Sequence, residues 1–182
     1  MGKPALLSEM IRLTLLSSLV LMTLFAGCSV PEGPASRLPK ANILPLAIDE
    51  DYQFRKILVS SLDPGYIEPE AKNDMILFER ARRTFGATDS TEMAQRYGNY
   101  YTIFWRNSTR SDVTLRLEYR QAGLGNHVMA IERSYPDTVG SHRSTFQVTG
   151  DEFLENGRVS AWRAILIVEG RIVALSQSYM WR

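Results

Sequence analysis

Asp112 to Gln121 reads DVTLRLEYRQ, and its hydrophobic period is two. Val113, Leu115, Leu117 and Tyr119 fall on one side of an extended chain, and Thr114, Arg116, Glu118 and Arg120 on the other. Successive strand side chains point to opposite faces, so this spacing predicts a strand with one buried face and one wet face. The same period governs Phe54–Leu62, Val128–Tyr135, Ser144–Thr149, Val159–Glu169 and Arg171–Trp181. Tyr100–Arg106 (YYTIFWR) is apolar on both sides, as expected of a strand in the middle of a fold. Asp63-Pro64-Gly65, Pro136-Asp137, Gly150-Asp151 and Asn156-Gly157 supply turn chemistry between these runs, and Glu169-Gly170 predicts a tight hairpin.

These runs make about seven strands joined mostly by short connections, which predicts a mainly β chain built as an antiparallel sandwich of immunoglobulin or fibronectin type. A closed barrel is the alternative, because periodicity does not distinguish a sheet packed on another from one closed on itself. A helical insertion follows the first strand. Glu68–Phe85 puts Ala71, Met75, Phe78 and Phe85 near one face, with Pro69 at its start and Gly86 past its end. Asp89-Ser90-Thr91-Glu92 has capping-box spacing and predicts a second, brief helix to about Tyr97, closed by Gly98.

The other end of the chain is organised differently. Lys3 and Arg12 flank the start, Leu13–Phe25 is a run of thirteen mostly apolar residues, and Ala26-Gly27 are small. That is the layout of an export signal. The run is shorter than the ~20 residues a spanning helix needs. The chain's one cysteine stands at the seam, in Phe25-Ala26-Gly27-Cys28, and Pro31, Gly33 and Pro34 follow.

Phe25-Ala26-Gly27-Cys28 resembles the lipobox of bacterial lipoproteins, although Phe25 stands where that family usually has Leu. The resemblance covers only this N-terminal segment; the mature domain carries no family motif. It implies cleavage between Gly27 and Cys28, a diacylglycerol thioether on Cys28 and an N-acyl chain such as palmitate on the freed amine. Several acyl chains on one residue make a lasting anchor, whereas a single chain binds reversibly. Ser29 in place of Asp after the cysteine resembles lipoproteins sorted to the outer membrane. The expected organisation is a signal peptide over 1–27, a lipidated proline-rich tether over 28–46 and the β domain over 47–182. The second half of the tether has two readings: an extended spacer, or a segment draped on the domain with Ile43, Leu44 and Leu46 in a groove.

Charge narrows the function classes. Lys3, Arg12 and Glu9 lie within the first 27 residues, so the 21 basic and 20 acidic side chains of the whole chain become 19 of each after cleavage. A neutral balance argues against a nucleic-acid partner, which requires a basic face. His127 and His142 sit outside any paired-ligand spacing and read as loop histidines, with Glu132 or Asp137 the carboxylates nearest at hand for a metal. Asp151, Glu152 and Glu155 read as solvated turn acids rather than a glycosidase pair, and Asp49-Glu50-Asp51 lacks the order of a calcium loop. Ser141 beside His142 has no nucleophile elbow around it. Tyr97, Tyr100, Tyr101, Phe104, Trp105, Trp162, Tyr179 and Trp181 are mostly assigned to packing, with a binding face as the alternative.

The resulting expectation is a lipid-anchored envelope lipoprotein whose β-sandwich is a non-catalytic binding or assembly module. No catalytic, cofactor or metal residue is assigned. Its expected partners are the membrane, through the anchor, and an envelope protein or surface polymer. The competing expectation is an envelope hydrolase or metal-dependent enzyme with a site assembled from loops.

Overall fold

The computed structural model describes residues 33–64, 84 and 86–181. The expected signal segment, Cys28 and, apart from Thr84, the helix expected at 68–85 lie outside the described residues. The described chain is mainly β and forms an antiparallel sheet of six strands. They are β1 (Ser36–Leu38), β2 (Tyr52–Leu62), β3 (Gly98–Gln121), β4 (Met129–Thr149), β5 (Val159–Val168) and β6 (Arg171–Gln177). The order is β1-β4-β3-β5-β6, with β2 also paired to β3.

Two long strands account for the architecture. The first half of β3 lies between β2 and the second half of β4, whereas its second half lies between β5 and the first half of β4. Between the halves the β3–β4 register shifts twice, around Asn107, Ser111 and Val113. On the β4 side the same bend holds Pro136, Asp137 (φ 46°) and Gly140 (φ 100°). Bulges bend and twist a strand pair without ending it. What reads as two pairs of strands separated by turns is therefore one long pair, which takes the expected seven strands to five, and β1, not expected from the sequence, makes the sixth.

The bend lets one face of the sheet close on itself. Tyr101, Ile103 and Trp105 from one half of β3 join Val113, Leu115, Leu117 and Tyr119 from the other in a single buried cluster, with Ile131, Phe146, Val148 and Leu166. The fold is thus an open, sandwich-like sheet. Each such side chain contributes about 1.5–3 kcal/mol when fully buried.

The helical and turn elements close as their residues require. Helix α1 (Ser90–Arg96) is capped by Asp89, whose Oδ1 accepts the amides of Thr91 and Glu92 at 2.8 Å each. Glu92 reaches back to the Thr88 amide at 2.8 Å, so two orphan donors and one further amide are satisfied. Helix α2 (Asp151–Asn156) fills the interval between the two expected turns at Gly150 and Gly157. Glu169 and Gly170 take positive φ values of 49° and 73°, the backbone that a two-residue hairpin demands.

The outer face of the second half departs from expectation. Arg116 and Glu118, expected to be wet, are 4% and 1% exposed. The cover is the segment over residues 42–49, the end of the expected tether and the residues just after it, which drapes on the sheet: Arg116 donates to the Asn42 carbonyl, the Ala47 and Asp49 amides donate to Ile172 and Val173 carbonyls, and the Ile172 amide donates to the Pro45 carbonyl. Leu44 packs on Ile165, Ile167 and Ile172, whereas Ile43 and Leu46 stay exposed. Beneath this strap the Glu118 carboxylate lies between Arg116 (3.4 Å) and Arg163 (2.5 Å), and Arg116 also pairs with Glu132. Two cations meet two anions, which is the condition for burying charge at tolerable cost.

Candidate functional site

The feature with the chemistry of a binding site is an open groove of about 510 Å³. Strand β1 and the residue before it supply Arg37 and Ala35, β2 supplies Ser60, β3 supplies Tyr100, Tyr101 and Thr102, and β4 supplies Ile131, Arg133, Arg143, Thr145, Phe146 and Gln147. The site exists because β4 bends. Ile131 and Arg133 come from one half of the strand and Arg143, Thr145 and Gln147 from the other.

The guanidinium groups are held from below. Arg133 lies over the Phe146 ring at 5.4 Å from its centroid, and Arg143 lies 6.0 Å from that of Phe104. Such cation–π contacts hold a guanidinium against a ring face. Arg37 donates to the Gln147 carbonyl at 3.3 Å and pairs with Glu152 at the groove's border. No carboxylate lines the groove among the described residues. Burial raises the Tyr101 hydroxyl well above its usual range, with Tyr119 adding to the effect, and burial raises Tyr100 against an opposing pull from Arg96. Both phenols keep their protons, so the lining is cationic and neutral.

The two histidines do not meet. His127 lies just before β4 and its Nε2 donates to the Pro39 carbonyl at 2.7 Å. His142 sits across from Trp105 in the other half of the long strand pair, stacked on the indole at 4.3 Å between ring centroids. Its Nε2 is 3.2 Å from Asn107 Oδ1 and 3.0 Å from Thr138 Oγ1. Burial holds the His142 pKa below 6.5, with a backbone hydrogen bond at Val139 opposing. Glu132 is engaged by Arg116 and Asp137 by Arg110 at 3.0 Å, so neither approaches a histidine pair. Among the described residues no three His, Cys, Asp or Glu side chains converge as a metal site.

Other sequence candidates also resolve into structure. Asp49 Oδ1 accepts the Asp51 amide at 2.9 Å and Asp51 Oδ2 accepts the Thr109 hydroxyl at 2.6 Å, closing the approach to β2. Glu152 is bonded by Tyr119 and Arg37 rather than solvated with Asp151 and Glu155. Asn107, at the bend of β3, is fully buried, its side-chain amide donating to the Thr109 and Thr138 carbonyls at 3.0 and 2.7 Å. Of the aromatics, Tyr101 and Trp105 are core, Trp162 packs edge-on against Tyr101, and the Arg120 and Arg163 guanidinium groups lie 4.7 and 4.9 Å from the Trp181 ring centroid. Tyr179 alone among the eight is largely exposed, at 80%.

Arg37, Arg133 and Arg143 are the residues that sequence reasoning missed. One signal was present: Met129, Ile131, Arg133 and Tyr135 share a strand face, so an arginine stands in an apolar row. No family model, curated protein or solved structure matches the chain.

Proposed function

We propose that this chain is a lipid-anchored lipoprotein of the bacterial envelope, sorted to the outer membrane, whose β domain is a non-catalytic binding or assembly module. The anchoring half of the reading rests on Phe25-Ala26-Gly27-Cys28, with diacylglycerol on the Cys28 sulfur and an acyl chain on its amine. The observation that supports the binding half is the arginine groove: a cavity of about 510 Å³ lined by cations, neutral phenols and hydroxyls, with no acid or histidine in its lining among the described residues and Glu152 paired to Arg37 at its border. Catalysis by proton transfer needs a group within hydrogen-bond reach that titrates near the working pH, and the groove offers a set of fixed donors instead. Pockets of this size are ordinary for small ligands or for a segment of a larger partner. The partner is an envelope protein or a surface polymer, and the lipid holds the domain within reach of it.

The test is a Cys28→Ser variant expressed beside the parent chain. The variant should lose acyl label and move from the membrane to the soluble fraction, because it has no sulfur to carry the diacylglycerol. An unchanged membrane fraction contradicts the anchor. Affinity capture of the lipidated parent should recover an envelope component, and that recovery should fail when Arg133 and Arg143 are both replaced by Gln. Turnover of a wall or lipid substrate by the purified domain contradicts the non-catalytic reading.

A further inference from the structure

Strand β2 pairs with β3 alone, so its other edge has no strand beside it among the described residues. The two faces of this edge strand differ. On the outward face the register places Lys56 beside Phe104 and Phe104 beside Arg143; in the neighbouring row Gln53 lies beside Arg106 and Arg106 beside Ser141. No acidic residue occupies that face of β2, the first half of β3 or the second half of β4. On the inward face Ile57 and Val59 stand opposite Ile103 and Tyr101, carrying the core row out to the rim of the sheet. The row is not closed there: Val59 is 47% exposed, whereas Tyr101 is 1%. The unpaired backbone groups of such an edge are a template for a further strand.

We propose that the free edge of β2 over residues 56–62 receives an extended segment of an envelope protein in which acidic and apolar residues alternate. This rests on the binding-module reading above and names the kind of partner. A strand laid against β2 sends alternate residues to the two faces. Its outward carboxylates then meet Lys56, with Arg106 and Arg143 further in, and its inward apolar residues cover Ile57 and Val59. Main-chain hydrogen bonds supply affinity in this mode, and the alternating side chains supply selectivity. Charge decides against a second copy as the occupant. Tyr52–Leu62 holds Arg55 and Lys56 and no acid, so two copies of β2 would bring like charges together with no carboxylate to answer them. A lysine and a bulge are also devices that discourage edges from pairing with themselves, and here the bulge lies between Phe54 and Lys56. An acidic strand laid beyond the bulge turns the same lysine into an attraction. The whole chain has a formal net charge of only +1, so the positive field belongs to this face. Ser60 and Arg143 also line the groove, which makes the edge and the groove one continuous surface.

The test uses the whole protein as purified from cells, titrated into a fluorescein-labelled peptide of about ten residues, an ordinary strand length, in which Glu and Val alternate. The expected result is saturable binding at least about tenfold tighter than that of a peptide alternating Lys and Val, weakened about tenfold or more by Lys56→Glu/Arg106→Glu. Both positions are exposed, so the double variant should melt with the parent, and Lys56→Gln alone should give a partial loss. Methylating every second backbone nitrogen of the peptide keeps its side chains, and in one of the two alternating sets it should abolish binding. Bound peptide should slow amide hydrogen exchange within residues 56–62. Equal binding of the Lys–Val peptide, binding that survives both methylated sets, no loss in the variants, or protection confined to another strand overturns the proposal. Protection of β2 in the concentrated protein alone, with a dimer in sedimentation, overturns it in favour of a second copy. Capture by phosphatidylglycerol vesicles through Lys56 and Arg106, without peptide binding, overturns it in favour of a lipid surface. Affinity capture is read separately: an envelope protein still recovered by Lys56→Glu/Arg106→Glu sinks the edge alone, whereas none recovered by the parent chain sinks the binding-module reading.

Discussion

Glu118 is the side chain on which the outer face depends. It is 1% exposed and lies between two arginines, so neutralising it strands positive charge under the strap. Removing one partner of a buried pair costs about 3–5 kcal/mol. Arg163 is partly exposed and Glu132 still serves Arg116, so Glu118→Gln should lose about 3 kcal/mol in urea unfolding, at the lower end of that range. A loss below about 1 kcal/mol would show that the cluster carries little stability. His142 gives a pH signature of opposite origin. Its folded pKa is held below 6.5 by burial, so the unfolded chain takes up the proton first as pH falls. The stability it contributes is complete above 6.5 and is lost as pH drops through the lowered folded value. Melting temperature should fall as pH drops below about 6.5, and His142→Gln should flatten that slope; an unchanged slope contradicts the assignment. Neither role was legible in the sequence. The alternation correctly put Arg116 and Glu118 on the second face of β3, but whether that face is wet depends on a segment some seventy residues earlier in the chain folding over it.

Among the elements, the long β3–β4 pair carries the architecture, and Gly98 marks where it begins. A methyl group at Gly98 would stand 2.2 Å from the Val148 carbonyl oxygen and 2.6 Å from Thr149 Cγ2. Backbone cannot yield to that contact as a flexible side-chain tip can, so Gly98→Ala should cost about 1–3 kcal/mol through overpacking. Thermal melting checks it, and an unshifted midpoint would mean that the strand pair starts further along. Local elements were readable because their causes are local. The period of two located β2, β5 and β6, the Asp89 cap located α1, and Glu169-Gly170 located the hairpin. The bend was not readable. Asn107–Ser111 and Pro136-Asp137 have turn composition, and only the pairing of one with the other across the sheet makes them bulges instead of reversals. The groove inherits that illegibility, since Arg133 and Arg143 meet only because β4 continues through the bend.

At the scale of the whole molecule, the proposed anchor on Cys28 would hold a β domain whose buried apolar cluster faces inward. No described helix is long and apolar enough to cross a membrane, and the described sheet closes its apolar face inward on Trp105, Leu115 and Leu117. Attachment through Cys28 would let that domain keep its core while its cationic groove remains within a short tether of the bilayer. The measurement that tests this most directly is intact mass and N-terminal fragmentation of the protein purified from membranes. The account predicts a chain that begins at Cys28, with diacylglycerol on the sulfur and an acyl group on the amine. A free thiol at Cys28, or an N-terminus upstream of it, would contradict the account.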